Sequence, residues 1–351
     1  MKAIGYLHSR SIEQKDALVD IEIPTPQAKG RDLLVKILAV SVNPVDTKVR
    51  MRAEPEGGQY KILGWDAVGE VVAMGDQVEL FKVGDQVWYA GDITRSGSNA
   101  EYQLVDERIV GVKPRSLSNV EAAAMPLTSI TAWELLFDRL GFSPLMPNDS
   151  SQNVQANASA TPRARILIMG AAGGVGSILT QLAVKLTNAT VIGTASRQQS
   201  QAWVSELGAD HVIDHHQPLM PQLAAIGIDE VSHVISLTHT AEHFDQLVEV
   251  LAPQGKLALI DDPVTKLDIM KLKLKSLSLH WELIFTRSMF NTWDMQKQHE
   301  ILTRIAELID SGQIKTTLGE NYGSINATNL KRAHAHIETN QAVGKVVLEG
   351  F

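Results

Sequence analysis

Arg165 to Ser177 reads RILIMGAAGGVGS, and this stretch decides the fold. Ile166, Leu167, Ile168 and Met169 form a short apolar run of the kind buried on both faces of a parallel sheet. Gly170, Gly173 and Gly176 follow at regular spacing, which lets the chain turn tightly, bring bare backbone against a pyrophosphate and pack the next helix closely on the strand. Ile178, Leu179, Leu182, Ala183 and Leu186 then recur at helical spacing, so that a helix N-terminus points its free N–H groups at an anion. A second apolar run, Thr190 to Ser196, completes a strand, turn, helix and strand, and no Lys followed by Ser or Thr marks a P-loop. The order predicts a dinucleotide site built on Gly170, Ala171, Gly173, Gly174, Val175 and Gly176.

The end of the second strand selects the cofactor. An acid about 20 residues past the glycines would accept hydrogen bonds from a ribose 2′-hydroxyl, whereas a base there neutralises a 2′-phosphate. Thr194, Ala195, Ser196 and Arg197 contain no acid, which predicts NADPH over NADH, with Ser196 and Arg197 as contacts. Beyond them strands and helices alternate as far as GKLALI, the pattern of a doubly wound parallel sheet. Ligands in such sheets lie off the carboxyl ends of the strands, which adds Leu237, Thr238, Ile260 and Asp261 to the candidate crevice.

From Met1 to about Val112 short strands alternate with Gly- and Pro-marked turns, which predicts an all-β domain. Ser118 and Glu121 make a capping box for a helix that Pro126 breaks, with a second helix from Thr131 to Leu140. Residues 143–163 are polar and proline-bounded, the composition of a flexible insertion. Ser276 to Phe290 is apolar and β-prone, as an edge strand that pairs with a second subunit would be. Gln298 to Gly312 reads as an amphipathic helix, a further helix surrounds Ala333, and the closing strand GKVVLEG is expected to return to the first domain.

With 351 residues the chain is long enough for two domains, and 44% hydrophobic and 21% charged residues are those of an ordinary globular protein. A net charge of -8 offers no basic field for nucleic acid or anionic membrane, so a small-molecule partner is expected. The absence of cysteine excludes disulfides, thiolate nucleophiles and zinc held by thiolates. Neither a signal peptide nor a membrane-spanning run is legible, which predicts a cytoplasmic protein. His239-Thr240-Ala241-Glu242-His243 fits an inverted zinc-protease motif, but it follows a parallel strand at the nucleotide crevice, where that fit is accidental. His215-His216 and His334-Ala335-His336 are expected at the surface.

SVNPVDTKVR at Ser41, LGWDAVGEV at Leu63, FKVGDQV at Phe81, PLTSITAW at Pro126, GAAGGVGS at Gly170, ELGADHVID at Glu206 and GKVVL at Gly344 together resemble the medium-chain dehydrogenase/reductase superfamily along nearly the whole chain. The nearest likeness is to its zinc-free quinone oxidoreductase branch, and to a subgroup often labelled zinc-type alcohol dehydrogenase-like. That resemblance implies an α/β chain: a GroES-like β-barrel domain over residues 1–130 and 311–351, and a Rossmann domain with a doubly wound parallel sheet over 131–310. The edge-strand reading of Ser276 to Phe290 predicts a homodimer. The family's zinc-ligand Cys falls on Asn43, its ligand His on Trp65 and the following Glu on Asp66, so no metal is expected. The resemblance further points to Asn43, Asp46 and Lys48 as catalytic candidates, and to Thr131, Arg287 and Lys345 as cofactor contacts. A Tyr is common in the relatives where Lys48 stands. The activity implied is metal-free hydride transfer from NADPH to a quinone or an α,β-unsaturated carbonyl. Two alternatives stay open: an alcohol or carbonyl dehydrogenase with an atypical zinc site, and a non-catalytic NADPH sensor.

Overall fold

The computed structural model describes residues 1–145 and 163–351; all but the ends of the predicted insertion at 143–163 lie outside the described residues. The chain divides into two compact units, Met1–Ile130 with Ile284–Phe351, and Thr131–Leu283.

Among the described residues the second unit holds a six-stranded parallel sheet, in the order His211–Ile213, Thr190–Thr194, Arg165–Met169, Val231–Ser236, Leu251–Leu259 and Ser278–Trp281. The run from Ile166 to Met169 is central and buried, as its unbroken apolarity requires. Helices cover the faces, and Phe244, Leu247 and Val250 of Thr240–Val250 pack into the same core as Leu167, Val234 and Leu257. Ser278–Trp281 ends the sheet, the edge position expected of Ser276 to Phe290, but the strand stops at Trp281 and Thr286–Met289 is helical.

In the first unit the sheet order is Leu318–Asn321, Lys345–Glu349, Asp32–Val42, Ala67–Met74, Gln86–Tyr89 and Val110–Val112, with Tyr102–Asp106 also paired to Asp32–Val42. The closing strand joins it antiparallel, Val346 opposite Val42.

Several boundaries differ from those expected. Residues 284–310 belong to the first unit rather than to the one that holds the parallel sheet. The helix Lys297–Asp310 does bury Ile301, Leu302, Ile305, Leu308 and Ile309. It covers Val110–Val112, however, so closely that a Cβ on Gly111 would lie 2.5 Å from the Cβ of Leu302. Periodicity reveals an apolar face but not the sheet it will cover. Pro126 opens the helix Pro126–Trp133 instead of merely ending the previous one, since proline at a first helical position loses no intrahelical bond. Glu134–Arg139 continues as a π-helix. The all-β reading of the N-terminal part misses the helix Pro44–Arg52, which has no apolar stripe to betray it.

His334, expected at the surface, is 0% exposed on the helix Ala327–Glu338, and neither ring nitrogen has a hydrogen-bond partner. Burial, reinforced by nearby Arg50, pushes its pKa from 6.5 down to about 3. The unfolded chain therefore binds one more proton than the folded one between those values, and stability falls as pH drops through that window. His334→Leu is expected to remove that proton from the linkage and flatten the slope by about 1.4 kcal/mol per pH unit. Urea unfolding at several pH values between 4 and 7 measures it, and an unchanged slope would show that His334 is not the group responsible.

Candidate active site

The glycine turn is shaped by close approach. Gly170 has φ +77°, a left-handed conformation that side chains rarely adopt, and its N–H donates to Thr194 Oγ1 at 3.1 Å. A Cβ on Gly176 would lie 2.4 Å from the Gly170 carbonyl oxygen and 2.6 Å from Ala171 Cα. A Cβ on Gly173 would meet only the Gly170 oxygen, at 3.6 Å. Gly173 thus leaves open space for a ligand, whereas Gly176 seats the helix on the turn. Gly174, Val175 and Gly176 begin the helix Gly174–Leu186, where the α-helical pattern gives their amides no carbonyl. Bare backbone and a helix N-terminus make a cradle that fits a pyrophosphate.

Ser196 and Arg197 follow the adjacent strand, with the Arg197 side chain exposed. Gln198–Glu206 starts directly after Arg197, whose N–H donates to Ser200 Oγ at 3.2 Å. Leu237 stays in register beyond Val231–Ser236, donating its N–H to the Met169 carbonyl at 3.3 Å. Asp261 instead receives the Thr240 N–H and hydroxyl, at 3.0 and 2.6 Å, anchoring the start of Thr240–Val250. His239 precedes that helix with φ +53°. Contrary to the surface expectation, His215 is half-buried between the rings of His216 and His243, at 4.6 and 6.1 Å.

The first unit gathers Asn43, Asp46, Asp66 and Lys345, all buried, into one cluster. Asn43 precedes the helix Pro44–Arg52, and its N–H donates to Asp46 Oδ2 at 2.7 Å. Asn43 Nδ2 donates to Asp66 Oδ2 at 2.8 Å, and the Leu127 N–H donates to Asp66 Oδ1 at 2.7 Å. Lys345 Nζ donates to Asn43 Oδ1 at 2.5 Å, Asp66 Oδ2 at 2.8 Å and the Val42 carbonyl at 3.4 Å. Asp46 Oδ1 is buried without a partner. Burial raises the Asp46 carboxyl to about pKa 7 against the opposing pull of the Asn43 N–H and Lys345, and burial likewise raises Asp66. Two carboxyls face one ammonium, so a proton on Asp46 makes the cluster neutral.

Lys345, expected as a cofactor contact, is 3% exposed, and its three N–H groups meet three acceptors inside this cluster. Arg287 lies in Thr286–Met289 of the first unit, 6% exposed, and its Nε and Nη2 both donate to Asp294 Oδ2, at 3.1 and 2.9 Å. Thr131 is buried on Pro126–Trp133. Lys48 is partly exposed on Pro44–Arg52, one turn beyond Asn43. Sequence reasoning missed the joining of Asp66 to Lys345. It also missed the helix start, although Asn43, Pro44 and Asp46 spell an N-cap, a first-position proline and a third-position acid.

Two family signatures match the chain, "Alcohol dehydrogenase GroES-like domain" over residues 29–115 and "Zinc-binding dehydrogenase" over residues 207–348. A zinc-type alcohol dehydrogenase-like protein of Staphylococcus aureus (strain MRSA252) is 38% identical over 99% of both chains. The 2-methylene-furan-3-one reductase of Solanum lycopersicum is 29% identical over 99% of this chain and 79% of its own. A crystal structure from Rhizobium etli CFN 42, provisionally described as a zinc-dependent alcohol dehydrogenase, superposes with a TM-score of 0.93 at 50% identity, covering 100% and 98% of the two chains. Mycobacterial Rv1454c, solved with NADPH, superposes at 0.80 with 26% identity over 99% and 100%. These likenesses extend over a GroES-like part and a parallel-sheet nucleotide-binding part alike, so the chain belongs to the medium-chain dehydrogenase/reductase superfamily, among the zinc-type alcohol dehydrogenase-like proteins, and is an oxidoreductase of that type.

Proposed function

We propose that this oxidoreductase takes NADPH and delivers a hydride to a quinone or an α,β-unsaturated carbonyl. The observation that carries the reading is the strand end Thr194 to Arg197, where Thr194 bonds the Gly170 turn and an exposed arginine follows with no acid. The NADPH complex of Rv1454c and the enone-reductase name of the tomato relative support it. Reduced nicotinamide supplies the hydride when bound. Gly170, Ala171, Gly173, Gly174, Val175 and Gly176 hold the pyrophosphate by backbone, Ser196 and Arg197 hold the 2′-phosphate, and Leu237 and Thr131 line the remaining cofactor surface. Lys48 steadies the charge that grows on the acceptor's carbonyl oxygen. Asn43 and Asp46 set the start of the helix carrying Lys48. Solvent supplies the final proton. The same reading includes a homodimer formed through the edge strand Ser278–Trp281.

The test follows NADPH absorbance with a panel of quinones and enones, with NADH in parallel. Turnover that prefers NADPH is expected, and silence on every acceptor sinks the reductase reading. Arg197→Gln is expected to cut the preference for NADPH over NADH by about ten- to a hundredfold, the worth of one charged hydrogen bond. An unchanged ratio would remove Arg197 from the site.

A further inference from the structure

Several relatives of this chain are named for zinc, yet its residues do not fit that ion. A catalytic zinc takes three protein ligands through lone pairs at about 2 Å. Trp65 has none to give: its ring is fully buried edge-on to Phe285, and its N–H donates to the Asp92 carbonyl at 3.3 Å. Asn43 Oδ1 and Asp66 Oδ2 both face the Lys345 ammonium, at 2.5 and 2.8 Å, and a positive group there repels a dication from the same oxygens. Among the described residues no three His, Cys, Asp or Glu side chains come together in a group that could hold a metal ion.

We infer that the Lys345 ammonium is the resident cation of this cluster, standing in place of a metal and holding Asn43 and Asp66 together by charge. An ammonium has three donors, and here they meet Val42 O, Asn43 Oδ1 and Asp66 Oδ2. Through those acceptors it links the closing strand Lys345–Glu349 to the end of Asp32–Val42 and to the start of Pro44–Arg52. Asp66 carries the link on to Pro126–Trp133 through the Leu127 N–H. Buried charges of this kind are costly to separate, because removing one partner leaves the other unpaired in a low dielectric.

The test uses the full chain and measures no turnover, so it stands or falls apart from the reductase reading. Lys345→Met leaves the carboxyls without their cation and is expected to lower the thermal midpoint by about 10 °C. Adding Asp66→Asn removes the stranded charge while keeping the shape, and the double variant is expected to regain at least half of that loss, or to fold where the single variant does not. Zinc or a chelator is expected to leave the wild-type midpoint unmoved, and purified protein is expected to hold far less than one zinc per chain. A wild-type midpoint that rises with zinc, or stoichiometric zinc in the purified protein, overturns the inference. So does an unchanged midpoint in Lys345→Met, or a double variant no better than the single. Should neither variant fold, the zinc content and zinc titration of the wild-type protein decide.

Discussion

Gly176→Val is expected to weaken NADPH binding by roughly a hundredfold or more, because displacing a cradle by about an ångström costs that much where geometry is set by backbone. The cause is steric. A Cβ at this position overlaps the Gly170 oxygen at 2.4 Å and Ala171 Cα at 2.6 Å, and both are backbone atoms that cannot rotate away. The helix Gly174–Leu186 must therefore lift off the turn, taking its first amides out of line with the pyrophosphate. Overpacking also costs stability, on the order of 1–3 kcal/mol. Gly173→Ala separates the two effects. Its Cβ meets protein only at 3.6 Å, so the variant is expected to unfold at the wild-type temperature and still bind NADPH poorly, since the added methyl stands where the ligand's backbone contact would be. Fluorescence titration with NADPH alongside thermal unfolding measures both quantities. Wild-type affinity in Gly173→Ala and Gly176→Val together would show that the turn does not hold the cofactor.

Lys48→Met is expected to lower kcat by on the order of a hundred- to a thousandfold, the usual loss on removing one group that stabilises a developing oxyanion. Lys48 stands on Pro44–Arg52, whose first turn is tied to buried Asn43 and Asp46, so its backbone is placed by the core while its side chain remains partly exposed. Methionine keeps most of the length and removes the charge. The affinity for NADPH and the thermal midpoint are expected to stay close to wild type, and Lys48→Arg is expected to restore part of the rate. Rapid-mixing and steady-state measurements with the best acceptor of the panel distinguish the outcomes. A kcat equal to wild type would assign Lys48 to the solvated surface.

The parallel-sheet half was legible because its signals are local. A four-residue apolar run, three glycines and a helical period lie within a few turns of one another, and each is read without knowing what packs on it. The same holds for the capping box at Ser118, where Glu121 returns the bond to the Ser118 N–H at 2.9 Å. The course of residues 284–310 was not legible, since the apolar face of Lys297–Asp310 suits either unit until Gly111 opens space for Leu302. His334 was misplaced for a related reason: a lone histidine between polar neighbours gives no sign that its helix will close over it.

The sequence by itself determined the order of elements, the glycine turn, the acid-free strand end and the absence of any thiolate ligand, since these depend on residue identity and short spacing. Only the tertiary structure decided what Lys345 does. It lies 279 residues from Asp66 and 302 from Asn43, and the three meet because antiparallel pairing sets Val346 opposite Val42 at the end of the sheet. Which groups a lysine at a strand's first position meets depends on the acceptors that folding brings to it, and in this chain those acceptors are Val42, Asn43 and Asp66.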